Sequence, residues 1–109
     1  MQIQVHYQEG LNGTEWMTGF TLGRVNKLKR YLDPSATAHV SVEEQNHLYV
    51  CKLSLHDKGQ DFVFKGEGEN YYEMMANTIE KARRTLNDRK QKRKDKINRR
   101  YVPLKEIAV

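Results

Sequence analysis

Apolar and polar residues alternate from the start of the chain. Ile3 and Val5 fall out of phase with Gln2, Gln4 and His6, the period of a strand with one buried face, and predict β1 over residues 1–7. Gly10, Asn12 and Gly13 break that pattern, and Asn12 followed by Glu15 three positions later resembles a helix cap. From about Thr14 to Leu32, Met17, Phe20, Thr21 (by its methyl), Val25, Leu28 and Leu32 recur near helical spacing and predict α1. Gly19 and Gly23 sit inside this stretch, each costing up to about 1 kcal/mol relative to alanine, so the expectation is that something packs close against them. Asp33-Pro34-Ser35 ends the helix, because proline drives the residue before it out of the helical region.

Period two then returns. Ala38, Val40 and Val42 predict β2, a turn falls at Glu44-Gln45-Asn46, and Tyr49, Cys51, Leu53 and Leu55 predict β3. After a hairpin turn at Asp57-Lys58-Gly59-Gln60, Phe62, Phe64 and Gly66 predict β4. A second helix, α2, follows Glu69-Asn70, with Tyr72, Met75, Ala76, Ile79, Ala82 or Arg83, and Leu86 as its apolar stripe. Beyond Leu86 the stripe stops, which predicts a charged projection that frays before Pro103. The fold class is therefore α+β: a two-layer β-α-β-β-β-α sandwich, a four-stranded sheet with both helices on one face. Residues 1–96 form the single domain and residues 97–109 a flexible tail.

Length and composition narrow the rest. A chain of 109 residues holds one core. It has no apolar run long enough to span a bilayer and no secretory leader pattern, and its single cysteine excludes disulfide scaffolds and zinc knuckles, so the expectation is a cytoplasmic protein. The net charge of +5 is unevenly spread: residues 1–68 hold seven Lys/Arg and eight Asp/Glu, residues 69–109 hold twelve and six. Lys81 to Arg100 alone carries eleven basic residues against two acidic ones. A solubilising face mixes signs; this one points to a polyanion, with nucleic acid ahead of an acidic membrane. On α2, Lys81, Arg84, Asp88 and Lys92 form a stripe with Arg83, Arg89, Lys90, Arg93 and Lys96 around it. On α1, Arg24, Lys27, Lys29 and Arg30 lie away from the core. Side by side, the two helices would merge these cations into one basic plane.

Other chemistry is thin. His6, His39, His47 and His56 are not at ligand spacing, so no metal or cofactor is expected. Cys51 reads as a small buried apolar residue, and Gly66-Glu67-Gly68 as a strand end rather than a phosphate loop. No nucleophile, base and oxyanion set is visible, so no enzymatic activity and no small-molecule substrate are expected. Among the aromatics, Tyr72 reads as core and Trp16 as a boundary residue, leaving Tyr71 or Tyr101 as the candidates for stacking on bases.

Over about residues 1–92 the chain resembles the ribosome hibernation-promoting factors, also called ribosome-associated inhibitors or sigma modulation proteins. MQIQV is similar to their first strand, and Arg24-Val25-Asn26-Lys27-Leu28-Lys29-Arg30-Tyr31-Leu32-Asp33 to the end of their first helix. Leu55-His56 before Gly59, Glu69-Asn70-Tyr71-Tyr72, and Glu80-Lys81-Ala82-Arg83-Arg84-Thr85-Leu86 follow in the family's order. The resemblance implies a protein, monomeric when free, that binds the small ribosomal subunit between head and body. There it would occupy the mRNA and tRNA path, contact rRNA through both helices, and keep ribosomes inactive under stress or in stationary phase. Arg24, Lys27 and Arg30 on α1, and Lys81, Arg84 and Lys90 on α2, stand where the family places basic residues. Arg93, in the same basic run, completes the candidate rRNA-binding set. The segment Gln8 to Met17 and the acid Asp88 depart from the family pattern.

Two other readings compete. A general double-stranded RNA module shares the α-β-β-β-α core but lacks the N-terminal strand. A protein-interaction module would instead dock its basic helix on an acidic partner.

Overall fold

A computed structural model describes the backbone of residues 1–11 and 13–108 and the side chains of residues 1–11 and 13–91. The elements follow the expected order: β1 (Gln2–Tyr7), α1 (Glu15–Asn26), a 3₁₀ helix (Lys27–Tyr31), β2 (Thr37–Gln45), β3 (Leu48–Asp57), β4 (Gln60–Gly68) and α2 (Tyr71–Ala108). The strands form one sheet in the order β1-β2-β3-β4, with β1 parallel to β2 and the other pairs antiparallel. Because side chains alternate along each strand, register stacks the apolar positions into rows across the sheet. One row is Ile3, Ala38, Leu55 and Phe62; the next is Val5, Val40, Leu53 and Phe64; the third is Tyr7, Val42, Cys51 and Gly66. These rows face Met17, Val25 and Leu28 from the first helical segment and Tyr71, Met74, Met75, Ala82 and Leu86 from α2.

Both hairpins turn on two residues in the left-handed region: Asn46 and His47 (φ 49° and 67°), then Lys58 and Gly59 (φ 52° and 77°). Paired left-handed residues match the twist of the flanking strands. The first turn thus lies later than the expected Glu44-Gln45-Asn46, since Glu44 and Gln45 still pair with Tyr49 and Leu48.

Thr14 caps α1, its hydroxyl accepting from the Met17 amide at 3.1 Å. Asn12, the expected cap, lies outside the described residues. The stretch to Leu32 is not one α-helix but tightens into the 3₁₀ segment after Asn26. The packing expected around Gly19 and Gly23 is absent: both are exposed, and a Cβ at either would meet nothing within 4 Å. Their cost to α1 is therefore uncompensated. Gly19→Ala and Gly23→Ala should each stabilise the protein by about 0.5–1 kcal/mol, read as a higher urea midpoint.

Close packing occurs instead at Gly66. A Cβ there would collide with the Thr78 hydroxyl and lie 2.7 Å from the Thr78 amide nitrogen and 2.9 Å from its Cα. The glycines of β4 thus let the backbone of α2 settle directly onto the sheet. Opposite Gly66, Cys51 is fully buried, and burial pushes its thiol up to about 11 against the lowering effect of its hydrogen bond with Thr78. The apolar stripe of α2 begins at Tyr71, 5% exposed, and not at Tyr72, which is 54% exposed. Burial also raises the Tyr71 phenol, whose oxygen shares a hydrogen bond with Thr21 Oγ1 at 2.5 Å.

The helix also outlasts its apolar stripe. It runs on to Ala108, through Pro103 and most of segment 97–109. Among the described residues, no helix is long and apolar enough to cross a membrane.

Candidate nucleic-acid interface

Among the described residues, the positive side chains do not lie in the single plane expected of them; α2 divides them between two flanks. Along its side facing the 3₁₀ segment, Lys27, Leu28, Arg30, Tyr31, Ile79 and Arg83 line a shallow groove. The groove continues past Tyr31 to Lys58, Arg89 and Lys90. Tyr31 organises this end: the Arg30 guanidinium carbon lies 5.1 Å and the Lys90 ammonium 6.0 Å from its ring centroid. Cations on an aromatic face are held by the ring quadrupole without losing their charge.

The opposite flank of α2 looks over the free edge of β4, where Glu67, Asn77, Glu80, Lys81 and Arg84 share a depression. Lys81 Nζ donates to the Lys65 carbonyl at 2.6 Å and Asn77 Nδ2 to the Glu67 carbonyl at 2.8 Å. These side chains occupy carbonyls of an edge strand that would otherwise invite pairing with another chain. Lys81 therefore supports the sheet edge, although an ammonium has three donors and keeps capacity for a phosphate. Helical geometry explains the division, since Lys81 and Arg84 lie three apart on one side while Arg83 and Lys90 turn to the other.

Of the seven candidates, Lys27, Arg30 and Lys90 come together in the groove. Lys81 and Arg84 occupy the outer flank. Arg24 sits 5.0 Å over the Phe20 ring on α1, and Arg93 lies on α2 with its side chain outside the described residues.

Two groups change the charge picture. Glu80, on the outer flank, accepts from Arg83 Nη2 at 2.7 Å and from Arg84 Nε at 3.1 Å. The Arg83 hydrogen bond, with lesser help from Arg84, pulls its carboxyl down to about 2, so Glu80 is ionised at neutral pH and screens both guanidinia. Replacing it by glutamine should release both, tightening binding to RNA on the order of threefold at low salt and steepening the salt dependence. Titrating labelled RNA at several salt concentrations reads both quantities.

Arg89 is the second. Although it lies in the basic run, it is structural: Nη2 donates to Asp57 Oδ2 at 2.6 Å and to the Tyr31 carbonyl at 3.0 Å, and Nη1 to Gln60 Oε1 at 3.0 Å. Its guanidinium also lies 5.1 Å from the Phe62 ring centroid. The other Asp57 oxygen accepts from the Asp33 amide at 3.0 Å. This knot ties α2, the β3–β4 turn and the end of the 3₁₀ segment together beneath the Lys90 end of the groove.

The expected stacking assignment also changes. Tyr71 is buried and its ring belongs to the core, while Tyr101 lies outside the described side chains. The exposed rings are Trp16 and Tyr72, 49% and 54% accessible. The spacing that could have found Trp16 is Trp16, Phe20 and Arg24, each four residues from the last on one helical face. Elsewhere, His56 Nδ1 pairs with Asp61 at 2.6 Å on the exposed face of the sheet. Among the described residues, no group of three or more His, Cys, Asp or Glu side chains could hold a metal ion.

Residues 3–94 match the family model described as sigma 54 modulation protein / S30EA ribosomal protein. No curated protein matches the chain. Among solved structures, it is similar to a ribosomal subunit interface protein from Coxiella burnetii, with a TM-score of 0.71, 15% identity, and coverage of 84% of this chain and 99% of that one. It is also similar to the N-terminal domain of Thermus thermophilus Protein Y, with a TM-score of 0.72, 15% identity, and coverage of 79% and 96%. At that identity the likeness is one of fold.

Proposed function

Because the chain belongs to the sigma 54 modulation / S30EA ribosomal protein family, a family of ribosome-associated factors, we propose that it binds the small ribosomal subunit and blocks the mRNA and tRNA path. It would act in the cytoplasm, as a monomer without catalysis, and hold ribosomes inactive. Its contacts would be phosphates of rRNA, met first by Lys27, Arg30 and Lys90 in the groove and then by Arg24, Lys81, Arg84 and Arg93 around it. The observation carrying this reading is the match over residues 3–94, and the likeness of fold to a ribosomal subunit interface protein from Coxiella burnetii is consistent with it. The groove supplies the chemistry: Arg30 and Lys90 rest on the Tyr31 ring with no ion pair among the described residues, so phosphates need not displace a carboxylate to reach them, whereas Arg83 and Arg89 along the same groove are held by Glu80 and Asp57. Strand β1, paired along its length with β2, is the feature that separates this fold from the double-stranded RNA module.

Cosedimentation with small subunits at two salt concentrations, with and without mRNA and tRNA, tests the reading. Retention is expected to weaken steeply with salt and to compete with both RNAs. The Lys27→Ala/Arg30→Ala/Lys90→Ala variant should bind at least about tenfold more weakly with a salt slope shallower by about 3. Its stability should stay within about 0.5 kcal/mol, as exposed substitutions usually do. No retention, or retention indifferent to mRNA and tRNA, would overturn the proposal.

A further inference from the structure

The rings at the start of the two helices form a cluster that the core covers only in part. Trp16 and Phe20 stack nearly parallel, with centroids 5.7 Å apart and planes 8° from each other. Tyr72 meets both rings edge-on, at 5.2 Å from Trp16 and 5.0 Å from Phe20. Buried Tyr71 backs the group from the core side, 6.0 Å from Trp16 and 6.2 Å from Phe20. Beyond Phe20, one further turn along α1, the Arg24 guanidinium closes the stack.

We propose that Trp16 and Tyr72, backed by Phe20 and flanked by Arg24, form a platform on which an unpaired RNA base stacks. The proposal rests on the ribosomal reading for the RNA that it engages. Three observations favour a base over a protein side chain or a membrane. Two large rings are left about half open by a fold that buries the neighbouring Tyr71. The rings are locked against one another, so their faces are preorganised, and flat faces suit a flat heterocycle. The row that begins with Trp16 and Phe20 continues into Arg24 and, three residues on, into Lys27 at the mouth of the groove. A nucleotide needs both parts, a π-face for its base and cations for its phosphates.

Trp16 is the chain's one tryptophan, so its emission reports on the platform directly. Titrating the protein with naked small-subunit rRNA should quench that emission. Against intact subunits, Trp16→Leu and Tyr72→Ala should each lower affinity about tenfold or more with the salt slope unchanged, because stacking releases no counterions. Trp16→Phe should restore most of the loss. Thermal melts of the variants identify any loss that comes from unfolding, and Trp16→Phe, which keeps a ring in place, separates stacking from packing. Two results would overturn the inference while leaving the phosphate contacts intact. One is wild-type affinity in both ring variants; the other is weakened subunit binding without quenching by naked rRNA, which would assign the rings to a ribosomal protein. Quenching by anionic vesicles but not by rRNA would assign them to a membrane and overturn it too. If the unmodified protein failed to bind subunits, the ribosomal reading would fall, and quenching by naked rRNA would still decide the platform.

Discussion

Gly66→Ala is expected to destabilise the protein by about 3 kcal/mol or more, at the upper end of overpacking costs. Most added methyl groups in a core are accommodated by neighbouring side chains. Here the new carbon would lie 2.7 Å and 2.9 Å from the amide nitrogen and Cα of Thr78, so α2 itself must lift. Truncating the neighbour should therefore not rescue it: Gly66→Ala/Thr78→Ala stays unstable because the clash is with backbone. Gly68→Ala acts in the same sense, its Cβ falling 2.6 Å from the Met74 amide nitrogen. Urea unfolding at neutral pH measures these changes, and alanine at exposed Gly19 should move the midpoint the other way. An unchanged midpoint for Gly66→Ala would mean that α2 does not rest its backbone on β4 at Gly66.

The second large effect is at Asp57. Its residue is 1% exposed, and removing it leaves Arg89, whose side chain is 14% exposed, without its carboxylate partner and the Asp33 amide without its acceptor. Breaking a buried pair from one side costs about 3–5 kcal/mol, chiefly through the charge left behind, and that is the loss expected for Asp57→Ala. The same pair gives the fold an acid limit. Burial alone would raise the Asp57 carboxyl, but the Arg89 hydrogen bond, the Asp33 amide and the positive charges of Arg89 and Lys58 hold it below the ordinary value. Asp57 thus takes up a proton less readily folded than unfolded. Its contribution is complete above the usual carboxylate range and is lost as pH falls through the depressed folded value. Urea midpoints between neutral pH and about pH 3 should fall for the unmodified protein, while Asp57→Asn starts lower and lacks this component of the decline. Parallel curves would refute the assignment.

Much of this architecture is readable from period alone. Ala38, Val40 and Val42, then Cys51, Leu53 and Leu55, lie on one sheet face because a two-residue period leaves them no other arrangement. The α2 register was harder, since Tyr71 and Tyr72 are adjacent rings and both spacings to Met75 are helical; which is buried depends on Thr21 offering Tyr71 a hydroxyl partner 50 residues away. Gly66 reads as a strand end because a missing side chain carries no pattern of its own, and its purpose lies in the helix above it. Charge was least informative about position. Arg89 and Lys90 are neighbours of the same sign, yet one is consumed in holding Asp57 and the other stands over Tyr31 at the groove. The basic run points to a candidate surface on α2 but does not sort its members, because sorting depends on partners distant in sequence.

The pairings within the sheet also differ in how far the chain must travel to make them. Strands β2, β3 and β4 meet across reversals of two residues, whereas Gln2 finds Thr37 only after the entire first helical segment has been laid down. Closing that longer excursion costs more chain entropy, so the meander is positioned to zip early and the N-terminal strand to dock onto a finished template. The outermost parallel pair is then the natural place for the sheet to open under load, while the hairpins beneath α2 stay closed.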